Sequence, residues 1–396
     1  RASLISASER SGGKQQAEEW KVRSSDEDLK VVVRYWPPLE AGELDELFGR
    51  YPDIGEHRKR LTVSKRPLSA ASIVETGTGE VFVKRQHPSA RSVEDIEREH
   101  LFINHLRSRG YPTPGVFANN DGKTVTVMNG QVYEIQEVAE GEDVYGNRHT
   151  WSPFFSLTHA ESAGAALARL HHAAADFPVR TPRPHHPMTG QFELAGSPEL
   201  IESIEKSLED RPALAEFLNR RPWRREIGET YEEFHRELYP QLASLPRWYT
   251  HSDWQANNLF YSGDKVSSVI DFHVSDYTYR LYDVAVGIER NTLLWLSILE
   301  GDHSAVRYDQ IEAFLQGYES VQRLGAEEYR ALPDLLPMVQ LDFALSGIDY
   351  YWGVEGNETR GSWGYEVFVL AHTRWFKEPA GKTLRAFLRE RAKRFS

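Results

Sequence analysis

The stretch from His251 to His273 reads HSDWQANNLFYSGDKVSSVIDFH, and it carries more structural information than any other in the chain. Two short runs, NLFY and VSSVI, flank Ser262-Gly263-Asp264, a turn composition, so a strand pair is predicted there. Just before it, His251, Asp253 and Asn258 fall in the order H-x-D-x-x-x-x-N, and Asp271 closes the second run in VIDF. Two carboxylates and one amide thus come to one loop-and-hairpin edge. Moving a phosphoryl group asks little covalent work of a protein. It needs a carboxylate to orient the acceptor hydroxyl, oxygen ligands for magnesium, and a cation on the phosphates. Asp253 suits the first task, Asn258 and Asp271 the second. Alone, the string equally suits polar residues that turn the chain beside a hairpin, so the other requirements must be met elsewhere.

Working outward, Lys84 offers the cation. In EVFVKR the alternation puts Val81 and Val83 on one face of a strand and Phe82 with Lys84 on the other, so the ammonium can project into a cleft. In the next helix, SVEDIEREHLFINHLRSRG, Ile96, Ile103 and Leu106 form an apolar stripe with Glu99 inside it. A carboxylate on a core-facing stripe must find a cation or shift its pKa, and Lys84 is the expected partner. Ser92 and Asp95 have capping-box-like spacing and Gly110 stands just past the helix end. Hairpins flank this helix. One is joined around Gly77 and Gly79; the other carries Asn129-Gly130, which suits a type I′ turn.

Three segments follow. Residues 1–38 form a polar lead and N-terminal extension, expected to be disordered at its start. Residues 39–138 form a small lobe of antiparallel strands and one helix. Residues 139–396 form a larger, mainly helical lobe, with long helical patterns in THAESAGAALARLHHAAADF and SPELIESIEKSLEDRPALAEFLNRR, and two or three strands around 247 to 272. PVRTPRPHHPMTG reads as a surface loop within that lobe. The 396 residues suffice for two domains around a cleft, with 10 Trp and 18 Tyr for core and pocket walls. Lys and Arg total 47 against 59 Asp and Glu, a net charge of -12, which argues against a general nucleic-acid or anionic-membrane surface. With no cysteine, thiolate chemistry is excluded. No apolar run approaches the roughly 20 residues that span a bilayer, and a cytoplasmic location is expected.

These residues together resemble the aminoglycoside phosphotransferase and choline kinase superfamily, which shares its scaffold with protein kinases. The resemblance covers about residues 60 to 290, and HSDWQANNLFYSGDKVSSVIDFHVSDYTYRLYDVAV is most similar to the homoserine-kinase-like branch. It implies an α+β, two-lobed protein-kinase-like fold and an enzyme that uses ATP and Mg2+ to phosphorylate a hydroxyl of a small molecule: an amino acid, amino alcohol, sugar or aminoglycoside-like compound. Carried over by position, it implies Asp253 as the catalytic aspartate, Asn258 and Asp271 as metal ligands, Lys84 on the phosphates and Glu99 as its partner. It further implies His251 supporting the loop, Asp283 ordering it from the next helix, and residues 137 to 139, with Glu137 and Ala139, as the hinge for adenine.

The chain also departs from the family pattern. Ser252 stands where a glycine is usual, and His273 follows the metal aspartate in Asp271-Phe272-His273. The nucleotide-covering loop KRPLSAAS has no glycine, leaving phosphate contacts to amides and to the hydroxyls of Ser69 and Ser72. Gln255 replaces the lysine of protein kinases, which speaks against a protein substrate. His171-His172 is expected to pack beneath the catalytic loop rather than bind metal, and His185-His186 lies in a proline-bounded loop without a carboxylate at ligand spacing. The rings and carboxylates after Asp283 favour an ammonium-bearing acceptor by cation–π attraction of about 0.5 to 2 kcal/mol, with Asp276, Asp349 and Trp352 as expected contacts. KTLRAFLRERAKRF is a basic amphipathic helix, read as a solvated chain end. Two other classes stay open: a nucleotide-binding pseudokinase acting as an interaction module, and a metal phosphoesterase, which would need a second dense ligand cluster.

Overall fold

A computed structural model describes residues 36–63, 69–146, 148, 150–185, 187 and 192–393. The expected lead before Trp36, residues 65–68 of KRPLSAAS and His186 lie outside the described residues.

The first lobe is built on a five-stranded antiparallel sheet in the order β1-β2-β3-β5-β4, with β1 His57–Arg60, β2 Ala70–Thr76, β3 Gly79–Gln86, β4 Thr126–Met128 and β5 Gln131–Glu137. The β4–β5 turn has φ of 52° at Asn129 and 71° at Gly130, both left-handed, as a type I′ turn demands. Helix α1, Ala41–Phe48, covers one sheet face and forms a core there with Val74, Val81, Val83 and Ile135. Neither α1 nor β1 was expected from the sequence. Helix α2, Val93–Ser108, lies on the other face; the Ser92 hydroxyl accepts from the Asp95 amide at 3.1 Å. Its end is closed by Gly110 at φ 75°, with the Gly110 amide donating to Arg107 O and the Tyr111 amide to Leu106 O, a Schellman pair.

The second lobe is mainly helical: α3 Leu157–Ala174, α4 Leu200–Ser207, α5 Pro212–Asn219, α6 Trp223–Leu242, α7 Arg280–Thr292, α8 Trp295–Leu299, α9 Tyr308–Glu319, α10 Ala326–Leu335, α11 Gln340–Ile348, α12 Glu358–Trp363, α13 His372–Trp375 and α14 Pro379–Ala392. Wide, π-type turns span Asp349–Val354 and Gly364–Ala371. The helical pattern at 197–221 is divided into α4 and α5, because Pro212 lacks an amide hydrogen and takes the first turn of a new helix. Helices α3 and α9 cross in backbone contact: a Cβ on Gly164 would stand 1.9 Å from Phe314 O, and one on Gly317 1.9 Å from Glu161 O. That close approach sets His171 of α3 against Tyr318 of α9. Helix α14 is not a solvated end. Its Leu384 and Leu388 are buried, and Arg385 and Arg389 meet Asp334 at 2.6 and 2.9 Å. No helix among the described residues is long and apolar enough to cross a membrane.

Two strand pairs sit at the cleft edge of this lobe. Strands β7, Leu259–Ser262, and β8, Lys265–Val269, form the expected hairpin; β6, Arg247–Thr250, pairs with β9, Asp276–Tyr279, a strand beyond the expected set.

Candidate active site

Strand β6 delivers the chain into the loop His251–Asn258, and β8 delivers it to Asp271, so two neighbouring strand pairs bring the motif together. Helix α7 fixes the loop from below. Asp283, fully buried, accepts the His251 amide at 2.8 Å and the Ser252 amide at 2.6 Å, and His171 Nε2 donates to it at 3.0 Å. Eight residues on, Asn291 accepts the Ala256 amide at 2.8 Å and donates to Trp254 O at 3.0 Å. Ser252 takes φ 66°, the left-handed conformation that glycine adopts without penalty, and its hydroxyl lies 2.9 Å from that of Thr250. Two amide bonds to one carboxylate hold it there. Burial lowers the pKa of His171 despite the Asp283 carboxylate, so the imidazole is neutral, and its Nδ1 meets the Tyr318 hydroxyl at 2.7 Å. His251 is a spacer: Nε2 donates to Ile270 O at 2.9 Å, and Nδ1 faces the Asp253 amide at 3.3 Å.

Asp253 is buried, and its two oxygens differ. Oδ2 accepts from Gln255 Nε2 at 2.7 Å and from Asn258 Nδ2 at 3.2 Å. Oδ1 has no hydrogen-bond partner among the described residues, and its nearest cation is Arg290 Nη2 at 3.8 Å. With Asn258 Nδ2 turned to Asp253, also bonding its carbonyl at 3.0 Å, the amide oxygen is left as an acceptor. Asp271 sits at φ 65° with one carboxylate oxygen 2.6 Å from His273 Nδ1. An amide oxygen and a carboxylate suit a hard cation such as magnesium, whose remaining ligands are commonly phosphates and water.

On the first lobe, Lys84 lies on the sheet face opposite Val81 and Val83, but its partner is not Glu99. Lys84 Nζ lies 3.8 Å from Glu134 on β5, directly opposite in register. Glu99 is held by Arg91 at 2.6 Å, a cation that stands just before α2 and also bonds Asp95 at 2.8 Å. Arg91 reaches Glu99 along the helix it precedes, so the stripe carboxylate is neutralised locally. Glu134 accepts from Gln86, His100 and Gln136 at 2.8 to 2.9 Å. Burial pushes its carboxyl up, but Lys84, His100 and Arg91 outweigh this and hold it well below the usual range.

Other expected contacts also fall elsewhere. Ser72 is opposite Val83, hence on the α1 face and away from Lys84, by the two-residue alternation of a strand. Ser69 is buried just before β2. At the hinge, the Glu137 amide donates to Gly115 O at 2.8 Å and its carboxylate takes the Gly115 amide and Arg107. Ala139, the other residue expected at the hinge, follows the end of β5 by two residues. The three residues expected to attract a cationic acceptor are engaged within the protein. Asp276 accepts the Arg183 and Tyr277 amides at 2.7 Å, and burial raises its pKa. Asp349 pairs with Arg211 and His185, each at 3.1 Å, and Trp352 lies under Arg220 at 4.7 Å. Every one already has a cation or donor from its own chain.

Sequence reasoning missed Arg183, whose loop dips into the core: its guanidinium bonds Asp95 of α2 at 2.6 Å and the carbonyls of His273 and Ser275 at 2.8 Å. It ties α2 to the segment carrying Asp271. Glu134, Arg290 and Asn291 were missed as well, and Gln255 was read only as speaking against a protein substrate, not as a donor to Asp253.

A five-stranded antiparallel sheet with a helix on each face, followed by a helical lobe that carries Asp253, Asn258 and Asp271 beside two strand pairs, has the architecture of a protein-kinase-like phosphotransferase scaffold. The phosphotransferase enzyme family model matches residues 68–337, and the chain belongs to that family. It is 28% identical over 277 residues to a homoserine kinase of Methylobacillus flagellatus, covering 68% of this chain and 73% of that one. A homoserine kinase of Rhodopseudomonas palustris is 26% identical over 309 residues, covering 78% and 84%. The fold is shared with an amicoumacin kinase solved with AMP-PNP, Ca2+ and Ami, at TM-score 0.54 and 16% identity, over 92% of this chain and 96% of that one. The protein is a small-molecule kinase.

Proposed function

We propose that the protein transfers the γ-phosphoryl group of ATP, with magnesium, to a hydroxyl of a small molecule at Asp253. The observation that supports this most is the asymmetry of that carboxylate: Oδ2 is held by Gln255 and Asn258, while buried Oδ1 has no hydrogen-bond partner among the described residues. An acceptor hydroxyl donating to Oδ1 satisfies it and orients the nucleophile. The hydroxyl oxygen bonds to the γ-phosphorus as the bond to the β-γ bridging oxygen breaks. ADP leaves, and the hydroxyl proton passes to Asp253. Magnesium would be held by Asn258 and Asp271 and would neutralise charge on the phosphates, and Lys84, beside Glu134 at the sheet, would place its ammonium on them. Relatives that carry the name homoserine kinase make a hydroxy amino acid the first acceptor to try.

The test separates two carboxylates. Asp253→Asn should cut turnover by about 100- to 10,000-fold with nucleotide affinity nearly intact, since only proton acceptance and orientation are lost. Asp271→Ala should lose metal-dependent nucleotide binding as well, read as loss of the melting shift that ATP and magnesium give the parent protein. An unshifted melting curve for that parent at millimolar ATP and magnesium would refute the kinase chemistry. Near-normal turnover by Asp253→Asn would refute the role of that residue.

A further inference from the structure

The charge beside Asp253 has the opposite sign to the one the sequence suggested. Arg290 of α7 is buried, 6% exposed, and close to the catalytic carboxylate, yet few of its donors are used. Nη1 donates to Thr150 at 3.3 Å; Nη2 stands 3.8 Å from Asp253 Oδ1 and Nε 3.8 Å from Glu289 Oε2. Neither of the last two is a hydrogen bond, and Nε has no partner among the described residues. Each anionic neighbour is hydrogen-bonded elsewhere through one oxygen only, Glu289 Oε2 to Gln340 Nε2 at 2.6 Å and Asp253 Oδ2 to Gln255 and Asn258, while Glu289 Oε1 and Asp253 Oδ1 have no hydrogen bond among the described residues. The Phe343 ring lies 4.8 Å from the guanidinium carbon. A buried guanidinium with spare donors is costly unless an anion completes it, and its planar fork suits a carboxylate.

We propose that Arg290 binds a carboxylate on the acceptor whose hydroxyl lies at Asp253, so that the substrate is a hydroxy acid and Arg290 a specificity-determining residue. This rests on the phosphoryl-transfer reading above. Because Nη2 and the open oxygen of Asp253 are 3.8 Å apart, a group a few bonds from the acceptor hydroxyl meets the guanidinium. Thr150, Phe343 and Arg290 all belong to the larger lobe, whereas Lys84 approaches from the sheet, which assigns Arg290 to the acceptor rather than to the nucleotide. An α-ammonium is compatible with this arrangement but is not what Arg290 reads.

The experiment is ADP release in a coupled assay with matched sets: hydroxy acids, with and without an α-amino group, their methyl esters and primary amides, and amino alcohols lacking the carboxyl group. The parent protein should favour an acid over its ester by about 10- to 100-fold in kcat/KM. Arg290→Gln should lose that preference through KM for the acid and shift towards the amide, with KM for ATP unmoved. Arg290→Lys, which keeps the charge without the fork, should fall between them and carries the comparison if Arg290→Gln does not fold. A best acceptor that is neutral or cationic overturns the proposal. So does an equal loss of kcat on acid and ester in Arg290→Gln, which would put the guanidinium on the transferred phosphoryl group. Both leave phosphotransfer standing; absence of ADP release with every compound, together with no melting shift by ATP and magnesium, would instead remove the reading on which the proposal rests.

Discussion

Asp283→Asn tests how the loop is held, because it replaces one oxygen by an amide nitrogen and changes almost no volume. The carboxylate takes three donors: the His251 amide at 2.8 Å, the Ser252 amide at 2.6 Å and His171 Nε2 at 3.0 Å. An asparagine keeps one oxygen and turns the other into a donor. With the oxygen towards Ser252, the new amide group faces the His251 N–H, although His171 can adapt by moving its proton to Nδ1 and donating to Tyr318. With the oxygen towards His251, the amide group faces the Ser252 N–H. Either way one buried backbone donor is orphaned and the surviving bonds lose their charge assistance. Bonds to a charged acceptor contribute about 1.5 to 3 kcal/mol each. One lost and two weakened give roughly 3 to 5 kcal/mol, the range for breaking a buried ionic pair. Urea unfolding should show a lower midpoint with an unchanged slope. In the folded fraction kcat should fall by about 100-fold, since a loop shift near 1 Å misplaces Asp253. A loss of less than about 1 kcal/mol with normal kcat would mean that the loop does not depend on this carboxylate.

Two further outcomes are expected. Ser252→Gly relieves a left-handed residue, worth about 1 to 2 kcal/mol, but loses a hydroxyl contact of about 1 kcal/mol and adds unfolded-state entropy of about 0.4 to 1 kcal/mol, so stability in urea should stay within about 1 kcal/mol of the parent. A loss well beyond that would show that the serine hydroxyl holds the loop. Asp342→Asn should stabilise the protein above neutral pH: burial raises the Asp342 carboxyl to about 7, against backbone donors from Glu193 and Leu194. Its folded value is raised, so its favourable contribution is complete below the ordinary value of 3.8 and is lost as pH rises through about 7. The melting-temperature gap between variant and parent should therefore widen from pH 4 to 8, and a gap independent of pH would contradict the burial argument.

Much of the fold was legible because its signals are local. Asn129-Gly130 permits few turns, Gly110 after a periodic run permits few helix ends, and the H-x-D-x-x-x-x-N spacing shows a loop leading into a hairpin. What was hidden depends on packing between distant segments. The partner of Lys84 is Glu134, directly across β3 and β5, and strand register is not fixed by a helical stripe around Glu99. Arg91 lies outside the helix proper, where periodicity carries no information, yet it claims Glu99 first. The 197–221 segment shows the converse, since Pro212 announces the break between α4 and α5 and the surrounding apolar spacing masked it.

The partners of the acidic residues and rings after Asp283 were hidden for a reason of the same kind. Acidic residues and rings after Asp283 count as an attraction for cations only while their partners are unknown. Once Asp349 is placed on Arg211, Glu355 3.4 Å from Arg360 and Trp352 under Arg220, that attraction is spent inside the protein. Composition also hid the group that matters. VAVGIERNT reads as an apolar helix ending in a polar, solvated turn, but every residue of α7 is buried. A polar run that cannot reach water must be held by neighbours or by a ligand. Asn291 and Glu289 have their neighbours in Ala256, Trp254 and Gln340. Arg290 has spare donors next to the open oxygen of Asp253, which is where an acceptor must lie if that carboxylate is the base.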